Sequence, residues 1–202
     1  MNYLWGILIG YAFGCIQTSY IVGHLFKKVD IRDYGSGNAG ATNAFRVFGP
    51  WLGSFCLIVD ALKGIAAVLI AKYFLDDNTL LLLITGFGSI LGHNYPFYMH
   101  FKGGKGIAAS LGIFIAIDYR AFLLAGIPAL ILLAATRYMS LASLSYSALL
   151  IVAMGIFHYS EPNSVLIILM TVVYALLAFW RHRENIKRLI KGTESKLGKK
   201  KK

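Results

Sequence analysis

Apolar segments of membrane-crossing length alternate with short polar segments along most of this chain. A helix that crosses a bilayer needs roughly 20 apolar residues, so the long apolar segments predict transmembrane helices. The run over 107–135 is too long for one such helix and short for two. Asp118 interrupts it, which favours two short helices that turn at Asp118. The other predicted spans cover about 4–26, 51–73, 79–91 and 164–180, with a further span ending near Phe157.

The composition agrees with this pattern. Hydrophobic residues make up 57% of the chain, charged residues make up 14%, and the mean hydropathy is +0.65. A soluble domain normally carries about a quarter charged residues. We therefore expect an all-α integral membrane protein with about seven transmembrane helices, in a single polytopic domain over residues 1–202. The alternative of five spans stays open, and the two counts differ in how residues 107–160 are divided.

The basic residues predict an orientation. The formal net charge is +11, and ten of the twenty Lys and Arg residues lie from Arg181 onward, where Lys199–Lys202 is typical of a solvated tail. Because basic residues next to membrane spans mark the cytoplasmic side, we expect the N-terminus outside and the C-terminus in the cytoplasm. Because the basic residues cluster beside the predicted spans, they also disfavour nucleic acid as a partner. Three polar segments then share the cytoplasmic side: the glycine loop (32–46), the lysine loop (92–106) and the C-terminal basic segment (181–194).

The glycine loop has the composition of an anion site. Glycines alternate with neutral hydrogen-bonding residues, and no acidic residue lies between Gly35 and Arg46. Glycine adopts positive φ and can turn successive amides to one side, which forms an anion-binding nest. Arg46 adds a two-pronged donor. The alternative is a flexible connection between two spans. The candidate phosphate ligands are Gly35, Ser36, Gly37, Asn38, Gly40, Thr42, Asn43 and Arg46.

The lysine loop repeats this chemistry, because Gly103, Gly104 and Gly106 surround Lys105 just before an apolar helix. Backbone amides and an ammonium group together suit a phosphate, although the spacing of a Walker A motif is absent. The alternative is an ordinary juxtamembrane lysine.

Two charged residues lie inside the second predicted span. Asp60 and Lys63 are three residues apart and share one helical face. A lone charge there costs several kcal/mol, so we expect an ion pair facing the protein interior, in either a structural or a functional role. Cys15 and Cys56 lie in apolar runs, which predicts buried thiols rather than a disulfide or a metal site.

The polar segments contain many anion ligands and few acids, which limits the chemistry. No G-x-S-x-G motif, no His-x-x-x-x-Asp pair and no zinc spacing among the scattered histidines is present. Such a site suits a substrate that brings its own leaving group, and an acyl phosphate is one example. Two alternatives are an anion transporter or channel subunit, and an acyltransferase that uses a thioester carrier.

Three motifs then resemble one family. The stretches are GSGNAGATN with Arg46, GHNYPFYMHFKGGKGIAAS, and RHRENIKRLIKGTE. In order and spacing they are similar to the signature motifs of the bacterial acyl-phosphate:glycerol-3-phosphate acyltransferase (PlsY) family. The resemblance covers essentially the whole chain. It implies acyl transfer from acyl phosphate to the 1-position of sn-glycerol 3-phosphate, giving lysophosphatidate and phosphate, the first acylation of phospholipid synthesis.

The resemblance also implies a setting. The enzyme would lie in the bacterial cytoplasmic (inner) membrane as a multi-pass protein with a cytoplasmic active site, and would use no cofactor and no metal. Its partners would be acyl phosphate, sn-glycerol 3-phosphate and membrane lipids. The oligomeric state stays open, and a monomer is compatible with the sequence.

Finally, the resemblance assigns roles to residues. The glycine loop, with the Gly103–Gly104 turn, would hold the donor phosphoryl group. The acceptor ligands would be Arg46, Lys105, Ser143, His182 and Asn185. The catalytic set would be Ser36, Arg46, Lys105, His182 and Asn185, with Asp60 and Lys63 in support. The proton acceptor, either His182 or the donor phosphate, stays open, and without the motif an interfacial structural role for His182 is the alternative.

Overall fold

The computed structural model describes residues 1–198, which form helices and turns with no strand among them. Lys199–Lys202, predicted as a solvated tail, lies outside the described residues. A π-turn covers Gly23–Lys27, and short 3-10 turns cover Ile31–Asp33 and Phe97–Met99. The α-helices are α1 Asn2–Gly14, α2 Thr18–Val22, α3 Ala41–Phe48, α4 Pro50–Phe74, α5 Thr79–Asn94, α6 Ile107–Ile117, α7 Tyr119–Thr136, α8 Met139–His158, α9 Ser164–Arg181 and α10 Arg183–Ile190.

The chain divides into two compact units, one ending at Ile117 and the other beginning at Asp118. In the first unit, α1 packs on α5, and α4 packs on α3, α5 and α6. In the second unit, α8 packs between α7 and α9, and α10 contacts both α8 and α9. The single polytopic domain stays a prediction.

Within residues 1–198, five helical segments are long and apolar enough to cross a membrane. Helices α5 and α6 contain 16 and 11 residues. At 1.5 Å per residue they extend about 24 and 16 Å, less than a hydrocarbon core of roughly 30 Å. The total of seven spans and the orientation of the termini stay predictions. The five segments are Asn2–Lys27, Pro50–Phe74, Tyr119–Thr136, Met139–His158 and Ser164–Arg181.

Capping residues explain several helix boundaries. Pro50 begins α4. At this first position a backbone N–H would have no intrahelical acceptor, so proline loses no hydrogen bond there. The Asn78 side chain accepts hydrogen bonds from the amides of Leu80 and Leu81 at the start of α5. Asp118 caps α7 in the same way, accepting from the Arg120 amide at 2.8 Å. The predicted turn at Asp118 between two helices is therefore confirmed.

The predicted span over 4–26 corresponds to the apolar segment Asn2–Lys27, but this segment is not one continuous helix. The helix stops at Gly14 and resumes at Thr18. Side chains satisfy carbonyls left open at the break: the Tyr98 hydroxyl donates to Cys15 O at 2.7 Å, and Lys63 Nζ donates to Ile16 O at 2.5 Å. Irregular backbone at membrane depth is tolerated where the protein itself satisfies it.

Small residues bring α1 and α5 into close contact. A Cβ atom added at Gly10 would overlap the carbonyl oxygen of Thr85, and one added at Gly14 would overlap that of Ser89. Gly92 on α5 faces the carbonyl of Tyr11 in the same manner. Spacing of small residues four apart is a common way for helices to pack in membranes. The two backbones therefore pack without intervening side chains.

We expect Gly10→Ala to destabilise the protein by about 1–3 kcal/mol, because the methyl group must push two packed backbones apart. The apparent melting temperature in detergent measures this effect. Gly155→Ala is the matched control, since an added Cβ there has no atom within 4 Å. Equal melting temperatures for the two variants would contradict the close packing of α1 on α5.

Candidate active site

The glycine loop has an ordered, turned backbone. Gly35 and Gly37 have positive φ values of 64° and 70°, which the sequence analysis expected of glycine here. The loop begins with the 3-10 turn Ile31–Asp33, where the side chain of Asp30 accepts the Arg32 amide at 2.9 Å. Arg32 also donates from a guanidinium nitrogen to Met99 O at 3.1 Å, which ties the glycine loop to the lysine loop.

Asn43 holds the glycine loop from within. Its side chain is buried, with 1% exposure. Its Oδ1 atom accepts a hydrogen bond from the Ser36 amide at 2.8 Å, and its Nδ2 atom donates to Ile31 O and Tyr34 O at 3.2 and 2.9 Å. The structure thus places Asn43 behind the loop, as its internal support, and not on the loop surface.

Several loop amides are already used inside the loop. The Ser36 amide donates to Asn43, the Gly37 amide to Tyr34 O at 3.1 Å, and the Gly40 amide to Asn38 O at 3.0 Å. Helix α3 follows directly, with Gly40 at its cap position and no side-chain capping bond. The first amides of a helix have no intrahelical acceptor and attract anions. The amides of Ser36, Gly37 and Gly40 are therefore used within the loop, and the Asn43 amide in the first turn of α3 donates to Gly40 O at 2.9 Å.

The predicted side-chain ligands of the loop differ in exposure. Ser36 and Arg46 are exposed, and Asn38 and Thr42 are half-buried. Arg46 projects from the last turn of α3. These four side chains can reach a ligand without unfolding the loop.

The lysine loop folds closely over the end of α5. The Gly103 amide donates to Asn94 O at 3.1 Å, and the Gly104 amide donates to His93 O at 2.9 Å. A Cβ atom at Gly104 would overlap the His93 ring and approach Ala39 O to 2.8 Å. The two glycines permit this approach between loops. Their amides serve the turn that carries Lys105, which is half-buried.

The ion pair expected within α4 is present. Lys63 Nζ lies 2.9 Å from Asp60 Oδ1, and the two residues are 4% and 0% exposed. The Thr18 hydroxyl donates to the same carboxylate oxygen at 2.8 Å. Lys63 Nζ also lies 2.8 Å from His93 Nδ1, so the pair extends to the residue beneath Gly104. Cys15 and Cys56 are buried free thiols, as predicted.

In the second unit, His182 connects α9 to α10 and is buried. Its Nδ1 atom lies 2.8 Å from the carbonyl oxygen of Ala178. A carbonyl only accepts hydrogen bonds, so Nδ1 carries the proton and Nε2 is the basic nitrogen of the neutral ring. The backbone of α9 thereby sets the tautomer that an acceptor of a hydroxyl proton requires.

Asn185 is oriented by Glu194. The Asn185 amide donates from Nδ2 to Glu194 Oε1 at 2.7 Å, which fixes the direction of its Oδ1 atom. Ser140 Oγ donates to the same carboxylate oxygen at 2.9 Å, and Arg188 Nε donates to Oε2 at 2.7 Å. Burial raises the pKa of Glu194, but these three hydrogen bonds outweigh it, so the pKa lies below its usual value.

Ser143 lies on α8 and is buried, and its hydroxyl donates to Met139 O at 2.8 Å. This bond to the preceding turn is common for serine in membrane helices. The hydroxyl oxygen can still accept a hydrogen bond, so the binding role assigned to Ser143 stays a prediction.

Sequence reasoning identified the loops but missed their supports. His93 contacts Lys63 and the Gly103–Gly104 turn, and Glu194 accepts a hydrogen bond from Asn185, but neither residue was assigned a role from the sequence. The available signals were a histidine ending an apolar segment and an acid in an otherwise basic one. Their partners became visible only in the folded chain.

Known proteins resemble this chain over nearly its full length. The family model described as glycerol-3-phosphate acyltransferase matches residues 4–192. A glycerol-3-phosphate acyltransferase from Shouchella clausii is 43% identical over 199 residues, covering 96% of this chain and 95% of the relative. Another, from Thermoanaerobacter pseudethanolicus, is 42% identical over 193 residues, covering 96% and 94%.

Solved structures agree. The crystal structure of PlsY, an integral membrane glycerol 3-phosphate acyltransferase, in its glycerol 3-phosphate form matches with a TM-score of 0.87 and 35% identity. The aligned region covers 98% of this chain and 96% of the PlsY chain. The lysophosphatidic acid form of PlsY matches with a TM-score of 0.83 and 34% identity. This chain therefore belongs to the glycerol-3-phosphate acyltransferase family, as its three motifs predicted, and is a multi-pass membrane acyltransferase.

Proposed function

We propose that this enzyme transfers a fatty acyl group from acyl phosphate to the 1-hydroxyl of sn-glycerol 3-phosphate, releasing lysophosphatidate and phosphate. The observation that carries this proposal is the pairing of two glycine turns, one leading into the start of α3 and one holding Lys105. A phosphate leaving group needs stabilisation of its charge, which hydrogen-bond donors of the glycine loop, such as Ser36, and of the Gly103–Gly104 turn can supply. Arg46 and Lys105 are the candidate cationic ligands of the acceptor phosphate in this unit.

The acceptor ligands in the second unit support the same reaction. Since Nδ1 of His182 carries the proton, its Nε2 atom can accept a hydrogen bond from a glycerol hydroxyl. Asn185, held by Glu194, can orient a second polar group of the acceptor. These residues bind and orient, which is the contribution that direct attack on an activated donor requires.

The reaction then needs one displacement. The oxygen at C1 of glycerol 3-phosphate bonds to the acyl carbon, and the bond from that carbon to the phosphate oxygen breaks. The electron pair leaves with the phosphate, and the hydroxyl proton passes either to Nε2 of His182 or to the phosphate. No acyl-enzyme forms along this route, and both cysteines are buried.

The donor assay tests this function. Purified protein in lipid receives labelled glycerol 3-phosphate with palmitoyl phosphate, palmitoyl-CoA or palmitoyl carrier protein. We expect lysophosphatidate only with palmitoyl phosphate, one phosphate released per acyl group, and no effect of EDTA or thiol blockers. Efficient use of a thioester would show that the donor is a thioester and not acyl phosphate. A product acylated at the 2-position would refute the proposed transfer to the 1-hydroxyl.

We further propose that the active site faces the cytoplasm across the bacterial inner membrane, with the N-terminus outside. The support is the excess of basic residues in the three polar segments. In a background lacking Cys15 and Cys56, Asp77→Cys and Glu161→Cys should label from outside intact cells. Lys102→Cys and Lys196→Cys should label only after permeabilisation. Labelling of Lys102→Cys from outside would show that the orientation is the reverse of the proposed one.

A further inference from the structure

The buried charges of α4 connect to the lysine loop through one histidine. Lys63 Nζ has three oxygen or nitrogen neighbours: Asp60 Oδ1 at 2.9 Å, Ile16 O at 2.5 Å and His93 Nδ1 at 2.8 Å. An ammonium group has three protons and no lone pair, so three acceptors match it. His93 Nδ1 must therefore present its lone pair to Lys63.

This arrangement decides where the His93 proton lies. A neutral imidazole carries one proton, and with Nδ1 accepting from Lys63 that proton is on Nε2. A doubly protonated ring would place a second cation against the Lys63 ammonium in a buried environment, which is unfavourable. His93 is 2% exposed, so no solvent screens the two groups.

The Nε2 edge of the same ring lies against the turn that carries Lys105. A Cβ atom at Gly104 would overlap His93 Nε2, and the Gly104 amide donates to His93 O at 2.9 Å. Gln17 Nε2 donates to the same carbonyl at 2.8 Å. The ring and the backbone of His93 therefore contact α4, the break after α1 and the Gly103–Gly104 turn.

We propose that the Asp60–Lys63 pair locks His93 in the Nε2–H tautomer, and that His93 in this state is the positioning residue for the Gly104–Lys105 turn. The link to substrate rests on the proposed function, in which Lys105 binds a phosphate. Asp60 fixes Lys63, Lys63 fixes the ring, and the ring fixes the turn. The buried pair thereby has a functional consequence beyond helix packing.

Nitrogen NMR of the wild-type protein tests the tautomer without any mutation. With ¹⁵N-labelled histidine, the His93 ring should show an unprotonated Nδ1 and a protonated Nε2 at neutral pH. The His93→Gln variant identifies the His93 signals by their disappearance. A protonated Nδ1 in the wild-type ring would overturn the proposal.

Kinetics of charge-matched variants test the positioning role. Asp60→Asn combined with Lys63→Met removes both charges, so no unpaired buried charge remains. We expect the His93 ring of this variant to show both tautomers. We also expect KM for the phosphate-bearing substrate to rise about tenfold, as for loss of one charged hydrogen bond, with kcat changed much less. Lys72→Met is the control, because its partner Asp77 is 62% exposed.

Conservative replacements separate positioning from simple stability. His93→Gln keeps an amide donor near the Nε2 position and should retain a lower KM than His93→Asn, whose side chain is too short to reach the turn. Unchanged KM in the charge-free double variant, or equal KM for Gln and Asn, would overturn the proposal. If the wild-type protein transfers no acyl group from acyl phosphate, the proposed function fails while the tautomer result stands independently.

Discussion

Arg46→Ala and Lys105→Ala are each expected to lose about 30- to 4,000-fold in kcat/KM, which corresponds to about 2–5 kcal/mol for removing one partner of a charged hydrogen-bonded contact. Arg46 is exposed on α3, and Lys105 is half-buried between two glycines. Neither side chain is needed to close a helix, so both variants should insert and fold. Steady-state assays with acyl phosphate and glycerol 3-phosphate measure the loss.

The control for both is Lys72→Ala, a basic residue at the end of α4 whose carboxylate partner is mostly exposed. It should retain wild-type kinetics. Arg46→Lys adds information, because lysine keeps the charge but loses the two-pronged geometry. Near-normal turnover of either alanine variant at normal expression would show that the loops do not hold a substrate phosphate.

Glu194→Gln is expected to destabilise the protein by about 3 kcal/mol, because an amide cannot accept all the hydrogen bonds that the carboxylate receives from Ser140, Asn185 and Arg188. Activity should fall as well, since Asn185 loses the group that orients it. Glu184→Gln is the matched control: its carboxylate is 58% exposed and pairs with Lys187 at the surface. Thermal unfolding and acyl transfer measure the two effects.

Acid should abolish the stability difference between wild type and Glu194→Gln. The pKa of Glu194 is lowered in the folded state, so its contribution to stability is present above its ordinary unfolded-state pKa and is lost as the pH falls through the lowered folded-state pKa. The gap in melting temperature should therefore be constant from neutral pH to about pH 5 and then close. A gap that persists below the folded pKa would assign the effect to packing and not to the carboxylate charge.

Hydrophobic patterning predicted the long helices well. The expected spans over 51–73 and 164–180 correspond to α4 at Pro50–Phe74 and α9 at Ser164–Arg181. Apart from Asp60, Lys63 and Lys72 in α4, these helices are mainly apolar, and the proline, asparagine or charged residues at their ends can be recognised in the sequence. The interruption of the apolar run at Asp118 likewise predicted the turn there, and the structure shows that the Asp118 side chain caps α7.

The turned backbone of the glycine loop was predictable from the sequence, but the hydrogen bonds within the loop were not. Glycines with neutral donors predicted an anion nest. In the folded chain, Asn43 takes the Ser36 amide, and carbonyls of the loop take two others. Which donor faces the ligand depends on how the loop closes on itself. Spacing along the chain does not contain that information.

The break in the first span was missed for a similar reason. Gln17, Thr18 and Ser19 lie in an apolar run, and their polarity was the available signal. A helix breaks at membrane depth only where distant groups satisfy its backbone. Those groups are Lys63 and Tyr98, and only the folded structure brings them to the break.

The interrupted first helix constrains how the nascent chain matures. Residues up to Gln17 leave the ribosome before Lys63 and Tyr98 have been made. Until then the carbonyls of Cys15 and Ile16 lack their later donors, and an open carbonyl in hydrocarbon costs several kcal/mol. An unbroken helix satisfies both within the segment, so we expect the segment to enter the bilayer unbroken. We therefore expect the break to form only after Tyr98 has been made, as a late step in biogenesis.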